Sequence, residues 1–135
     1  MKDMNNILAG ALNGNADAQY NLGIMYASGL GVIQAYNEAV KWFRLSSSQG
    51  NAQAQEIYGL MYASGRGVTQ DYVRAHMWLN ISASSGDKNA EANLDIVAKK
   101  CHQHRLKKHK RWLRAASHQT SRTVIDCMVV VEMFC

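Results

Sequence analysis

Residues capable of chemistry are concentrated after residue 100. All three cysteines and four of the five histidines lie there, and Cys101, His102 and His104 are close enough in sequence to suggest metal ligands. Structural zinc needs four convergent ligands, and these spacings, with His109 and His118 further on, match no zinc finger. We therefore expect no metal site and no bound cofactor.

The rest of the chain offers few catalytic groups. Two Gly-x-Gly pairs, at 29–31 and 65–67, have no predicted strand before them and no Gly-Lys-Ser or Gly-Lys-Thr after them, so they do not form a phosphate-binding loop. Ser28 and Ser64 have no paired base to activate them, and His76 has no partner for acid–base catalysis. We therefore predict a protein that is not an enzyme and has no small-molecule substrate.

Charge divides the chain into two parts. The 135 residues carry a net charge of +5, but residues 1–98 are net −2 and residues 99–135 are net +7. Six of the ten residues from Arg105 to Arg114 are Lys or Arg, which could contact phosphate backbones or acidic lipid. This segment supports an alternative function, binding of nucleic acid or an anionic surface. The acidic remainder gives no reason to expect nucleic acid as a partner.

Composition favours helices. The chain contains no proline, which suits long helices, and its 47% hydrophobic content excludes disorder over most of its length. No stretch approaches the roughly 20 apolar residues that span a bilayer, and the first residues lack the apolar run of a secretion signal. We therefore expect an all-α protein without a transmembrane segment, located in the cytoplasm unless an export signal precedes Met1.

A 36-residue repeat organises the first hundred residues. Residues 15–50 and 51–86 are identical at 19 of 36 positions, and the strongest block runs from Met25 to Gln34. A fixed period of this length is typical of a solenoid, in which each unit buries its apolar face against its neighbours.

Each unit has the pattern of two helices joined by a glycine-rich loop. Asn15 and Asn51 can cap the first helices, and the glycines after them supply the positive φ that ends a helix. Asp71 can cap the second helix of unit two, whereas Ala35 at the equivalent place in unit one cannot. A further first helix is predicted from about Lys88 to Lys100.

These patterns predict an all-α solenoid of helix–loop–helix repeats in five segments. They are an N-terminal capping helix (1–14), repeat 1 (15–50), repeat 2 (51–86), a partial repeat 3 (87–100) and a basic tail containing cysteine and histidine (101–135).

One motif recurs in both units and carries a family resemblance. In unit one it is Ala18-x3-Leu22-Gly23-x2-Tyr26-x2-Gly29-x-Gly31-Val32, followed by Ala39-x2-Trp42 and Gly50. It resembles the Sel-1-like repeat, a relative of the tetratricopeptide repeat with a longer loop between its helices. The resemblance implies an α/α superhelical solenoid. It also implies a non-catalytic adaptor, often bacterial, that holds a protein or peptide partner. Tyr58 departs from the pattern, since it replaces the usual leucine.

The first helix of each unit has two stripes of side chains, one that points inward and one on another face of the helix. If Ala18, Leu22 and Tyr26 point inward, the other stripe of the three first helices contains Asp17, Tyr20, Ile24, Gln53, Glu56, Leu60 and Asn89. By resemblance to tetratricopeptide repeats, this stripe lines a concave surface that receives peptides. An alternative remains open, in which Ile24 and Leu60 pack against the next unit.

The resemblance stops after Lys100, where the family usually supplies a further capping helix. With one choice of codons for residues 101–110, one inserted nucleotide gives the reading Met-Ser-Pro-Thr-Ser-Ile-Glu-Lys-Ala-Gln, which has a serine cap and a first-turn proline. Residues 101–135 are therefore either a native tail or a frameshifted one, and sequencing the gene distinguishes the two. An uncapped C-terminal end would also favour self-association.

Overall fold

The computed structural model describes residues 4–116, with side chains described as far as Lys107. This part of the chain contains helices and no strand. The helices are α1 (Met4–Leu12), α2 (Ala16–Ser28), α3 (Tyr36–Ser48), α4 (Ala52–Ser64), α5 (Tyr72–Ser84) and α6 (Lys88–Ala116). Each helix packs against the next along the chain, with α2–α3 and α4–α5 as the two repeated pairs. The prediction of an all-α helical repeat solenoid is confirmed.

Helices α2, α4 and α5 each begin after a residue whose side chain caps the first turn. The Oδ1 atoms of Asn15 and Asn51 accept hydrogen bonds from the backbone N–H three residues on, at 3.0 and 2.9 Å. Asp71 Oδ1 accepts from two amides of the first turn of α5. Ala35 precedes α3 with the same extended backbone and makes no side-chain cap. The capping pattern is therefore the predicted one.

Left-handed glycines end α2 and α4. Gly29 and Gly65 have φ of 75° and 73°, a conformation that is cheap only for glycine. Gly67 has a second role, because a Cβ atom there would lie 2.6 Å from the carbonyl oxygen of Tyr36. The loop of unit two therefore packs closely on the second helix of unit one.

The first helix of the third unit, α6, is longer than predicted. We expected it to end near Lys100, but α6 continues to Ala116. Cys101 and Gln103 occupy the places equivalent to the loop glycines Gly65 and Gly67. Without glycine the left-handed turn is costly, and the residues that follow are mostly good helix formers. The helix therefore runs into the predicted tail, of which residues 117–135 lie outside the described part.

A continuous apolar core runs through the units. Its buried members include Ala39, Phe43, Tyr58, Ala75, Leu79, Ala90 and Val97. Glycine allows the two helices of each unit to approach closely, since a Cβ atom on Gly23 would lie 2.7 Å from the Phe43 ring. Tyr58 fits this core despite its hydroxyl group, which lies 3.1 Å from the Tyr62 hydroxyl. Burial raises the pKa of Tyr58 to about 12.

Buried polar side chains also repeat, a feature that the sequence analysis missed. Ser46 Oγ donates to the Ala16 carbonyl at 2.7 Å, and the equivalent Ser82 donates to the Ala52 carbonyl at 2.6 Å. The amides of two buried glutamines donate to carbonyls of the preceding helix, Gln19 to Ala11 and Gln55 to Ser47, both at 3.1 Å. These bonds tie α2 to α1 and α4 to α3.

Candidate functional site

The seven predicted binding residues form what we call the first-helix stripe, along α2, α4 and the start of α6. Asp17, Gln53 and Asn89 are exposed, and the other four members are half-buried. The side chains of Gln53 and Asn89 make no hydrogen bond to another described residue. They are available to a partner, but nothing in the described chain holds them in one conformation.

Two carboxylates of the stripe are bonded across units. Asn51 Nδ2 donates to Asp17 Oδ1 at 3.0 Å, and Asn93 Nδ2 donates to Glu56 Oε1 at 3.1 Å. Each bond joins the first helix of one unit to the first helix of the next or to its capping residue. The two carboxylates are therefore held in position, which lowers the conformational entropy that a partner would have to remove.

Glu56 and Tyr20 share an acidic environment with Asp87. Burial raises the pKa of Glu56 above its ordinary value, and the nearby charge of Asp87 raises it further, against the hydrogen bond from Asn93. Burial also raises the pKa of Tyr20, with smaller contributions from the charges of Glu56 and Asp87. Three successive units thus contribute one group each to an acidic patch, which we define as Tyr20, Glu56 and Asp87.

Asp87 is not among the residues predicted from the sequence, although the sequence contains a signal for it. Asp87 stands one period after Asn51, and its Oδ1 accepts from the amides of Asn89 and Ala90 at 3.0 and 3.3 Å. Ser82 Oγ donates to its other carboxylate oxygen at 3.3 Å. Its place as the third capping residue of the series could have been recognised from the 36-residue period.

The apolar members of the stripe also serve the core. Ile24 and Leu60 are half-buried and pack against the core cluster, and the Tyr20 ring lies 6.1 Å from the Phe43 ring. This packing agrees with the alternative that we left open for Ile24 and Leu60. The polar groups are therefore the stronger candidates for partner recognition.

The groups singled out for chemistry are engaged in structural contacts. Ser28 and Ser64 donate to the Ile24 and Leu60 carbonyls at 2.7 and 3.0 Å. Cys101 is buried and disulfide-bonded, so its sulfur is not a free thiolate. Among the described side chains, no three His, Cys, Asp or Glu residues are grouped to hold a metal ion. The histidines at 109 and 118 lie outside the described side chains.

No helix within residues 4–116 is long and apolar enough to cross a membrane.

Comparison with known proteins gives one family and several solved structures. The Sel1 repeat family model matches residues 16–51 and 52–87. A Sel1 repeat protein from Oxalobacter formigenes is 38% identical, with a TM-score of 0.66 over 67% of this chain. The protein c5321, described as a protective antigen of uropathogenic Escherichia coli with an SLR fold, is 33% identical, with a TM-score of 0.64 over 67% of this chain. Comparison with curated proteins gives no match.

Both solved structures are much longer than the region they share with this chain. The chain spans 26% of the Oxalobacter protein and 20% of c5321. The likeness therefore concerns the repeat units themselves.

Proposed function

Because the chain belongs to the Sel1 repeat family, we propose that it is a non-catalytic adaptor that binds a protein or peptide partner on the first-helix stripe. Sel1 repeats are generally protein–protein interaction modules and non-catalytic scaffolds. Assignment of the partner to this face rests on the chemistry of the stripe.

The observation that carries the proposal is the acidic patch of Tyr20, Glu56 and Asp87. Its groups come from successive units and are partly withdrawn from water. Burial raises the pKa of both Tyr20 and Glu56, and the charge of Asp87 raises both further. A Lys or Arg side chain placed there would relieve the repulsion between the carboxylates and donate hydrogen bonds to them. The proposed partner therefore presents a basic residue to the patch, with apolar contacts at Ile24 and Leu60.

The test compares variants of the full chain against a partner purified from the native host and identified by mass spectrometry. Tyr20→Ala combined with Glu56→Ala is expected to abolish binding while circular dichroism stays helical. Glu56→Gln is the milder variant, because its side-chain oxygen can still accept from Asn93. It should weaken binding about tenfold through loss of one charged contact.

A matched control lies on the second helices. Asn37→Ala combined with Asn80→Ala alters two exposed side chains away from the stripe and should leave binding unchanged. Binding that survives the double stripe variant, or that fails equally in the control, would show that the partner docks elsewhere.

The alternative function, binding of nucleic acid or an anionic surface through the basic segment, gains no support from the family or from the similar structures.

A cytoplasmic location stays a prediction. Fractionation of native cells with an antibody to the chain would decide the compartment.

A further inference from the structure

A groove of about 290 Å³ lies between α1 and α2, apart from the acidic patch. Its lining is rich in side-chain amides and contains Asn6, Ile7 and Gly10 from α1, the capping residue Asn15, and Asp17, Ala18 and Asn21 from α2. Of these residues, only Asp17 belongs to the first-helix stripe.

The repeat itself indicates what shape this groove accepts. Moving Ile7, Gly10 and Asn15 forward by one period gives Phe43, Ser46 and Asn51, and these three residues all contact α2. The Phe43 ring lies against Gly23, Ser46 Oγ donates to the Ala16 carbonyl, and Asn51 donates to Asp17. One unit further along the chain, the place equivalent to this groove is therefore filled by α2.

The repeat also indicates which chemistry the groove accepts. Two asparagines of the later units donate to a carboxylate of the preceding first helix. Asn51, which caps α4, donates through Nδ2 to Asp17, and Asn93 of α6 donates through Nδ2 to Glu56. On α2 the equivalent residues are Asn15 and Asn21, and neither amide nitrogen donates to another described residue. In unit two, residue 53 is equivalent to Asp17 and lies three residues before Glu56. The two carboxylate positions that accept these hydrogen bonds are therefore three residues apart on a first helix.

We propose that the groove between α1 and α2 binds a helix of a partner protein that carries two carboxylates three residues apart. Asn15 Nδ2 donates to the first carboxylate and Asn21 Nδ2 donates to the second. Ile7 and Gly10 of α1 contact the apolar side of that helix. Asp17 lines the groove as well, but its Oδ1 is already held by Asn51.

A second copy of this chain does not present that pattern through α6, the first helix of its third unit. On α6, the places equivalent to Asp17 and Glu56 are held by Asn89 and Ala92, neither of which is acidic. The complementarity therefore favours a different protein as the occupant.

The probe is a lactam-stapled peptide with the sequence of α2 and the Y20E substitution, which places two carboxylates at the required spacing. The staple is needed because an isolated helix of this length is marginal in water. We expect this peptide to bind the full chain by calorimetry and to shift the side-chain amide resonances of Asn15 and Asn21. A control peptide with both carboxylates replaced by amides should bind at least about tenfold more weakly.

Two variants of the full chain use residues that the repeat already tolerates. Asn21→Ile introduces the residue found at the equivalent Ile57, and Asn15→Asp keeps a capping carboxylate, as at Asp71 and Asp87. Each should weaken binding of the acidic peptide about tenfold without loss of helix content. Asn80→Ala, on an exposed part of α5, should have no effect.

The proposal is overturned if neither peptide binds, if both peptides bind equally, or if Asn21→Ile and Asn15→Asp leave the affinity unchanged. Sedimentation equilibrium of the chain alone tests the other occupant. Self-association abolished by both variants would assign the groove to a second copy and overturn the assignment to a partner protein. Because Glu56 lies outside the groove, Glu56→Gln separates this binding from that proposed for the first-helix stripe.

Discussion

At the scale of single residues, the two units differ in how they satisfy a buried glutamine. In unit one, Gln19 Oε1 accepts from Gln49 Nε2 at 2.6 Å. In unit two, Gln55 Oε1 is buried and has no hydrogen-bond partner among the described residues. Ser85 stands where Gln49 stands in unit one, and its side chain donates locally to the Ile81 carbonyl. A buried acceptor without a partner costs stability.

Ser85→Gln should therefore stabilise the chain. Gln49 and Ser85 have nearly the same backbone conformation at the ends of α3 and α5, so a glutamine at 85 can reach Gln55 as Gln49 reaches Gln19. We expect the free energy of unfolding to rise by about 1 kcal/mol, the usual net value of a buried hydrogen bond. Urea unfolding followed by circular dichroism measures the change. Ser84→Gln, an exposed neighbour, is the control, and equal effects of the two substitutions would contradict the explanation.

At the scale of secondary-structure elements, α6 takes over a contact that a loop makes one unit earlier. The Arg66 guanidinium, from the loop of unit two, lies 5.7 Å from the centre of the Tyr36 ring. The equivalent ring, Tyr72, is met edge-on by the His104 ring of α6 at 5.8 Å. The extension of α6 beyond residue 100 thus lies along the second unit where a loop would otherwise pack.

Amide exchange distinguishes this helix from a loop. We expect backbone amides at 101–107 to exchange more slowly than those of the glycine-rich loop at 65–70, because the former are bonded within α6. Hydrogen–deuterium exchange with mass spectrometry on the full chain compares the two segments directly. Exchange at 101–107 as fast as that of the loop would contradict a continuous α6.

Local signals in the sequence predicted most of this architecture. Asn15, Asn51 and Asp71 act on the first turn of their own helices, so their roles follow from neighbouring residues alone. The predicted end of α6 near Lys100 is wrong, because the chain has cysteine at position 101, where the 36-residue period places a loop glycine. The period also places equivalent residues at equivalent positions of the three first helices. It could not predict that Glu56 bonds to Asn93 or approaches Asp87, because those contacts depend on how successive units stack.

At the scale of the whole molecule, the acidic patch brings together groups from three units, and the charges of Glu56 and Asp87 oppose each other at the junction between the second unit and the third. A repeat protein draws its stability from each unit and from the contacts between neighbours. Tyr20 belongs to unit one, Glu56 to unit two and Asp87 to the start of the third. Ionisation of Glu56 therefore acts at the junction between units, where burial and the charge of Asp87 oppose it.

This coupling predicts that stability depends on pH through Glu56. Its pKa is raised in the folded chain, so the folded state binds more protons than the unfolded state as the pH rises above the ordinary value of 4.5. The free energy of unfolding therefore falls through that window and stays lower at neutral pH.

Glu56→Gln removes the ionisation and keeps an acceptor for Asn93, so the variant should be at least as stable as the wild type at neutral pH. Below the ordinary glutamate pKa the two should converge, because both side chains are then uncharged. Urea unfolding at acidic and neutral pH measures this difference, and a wild type more stable than Glu56→Gln at neutral pH would show that the carboxylate stabilises the junction instead.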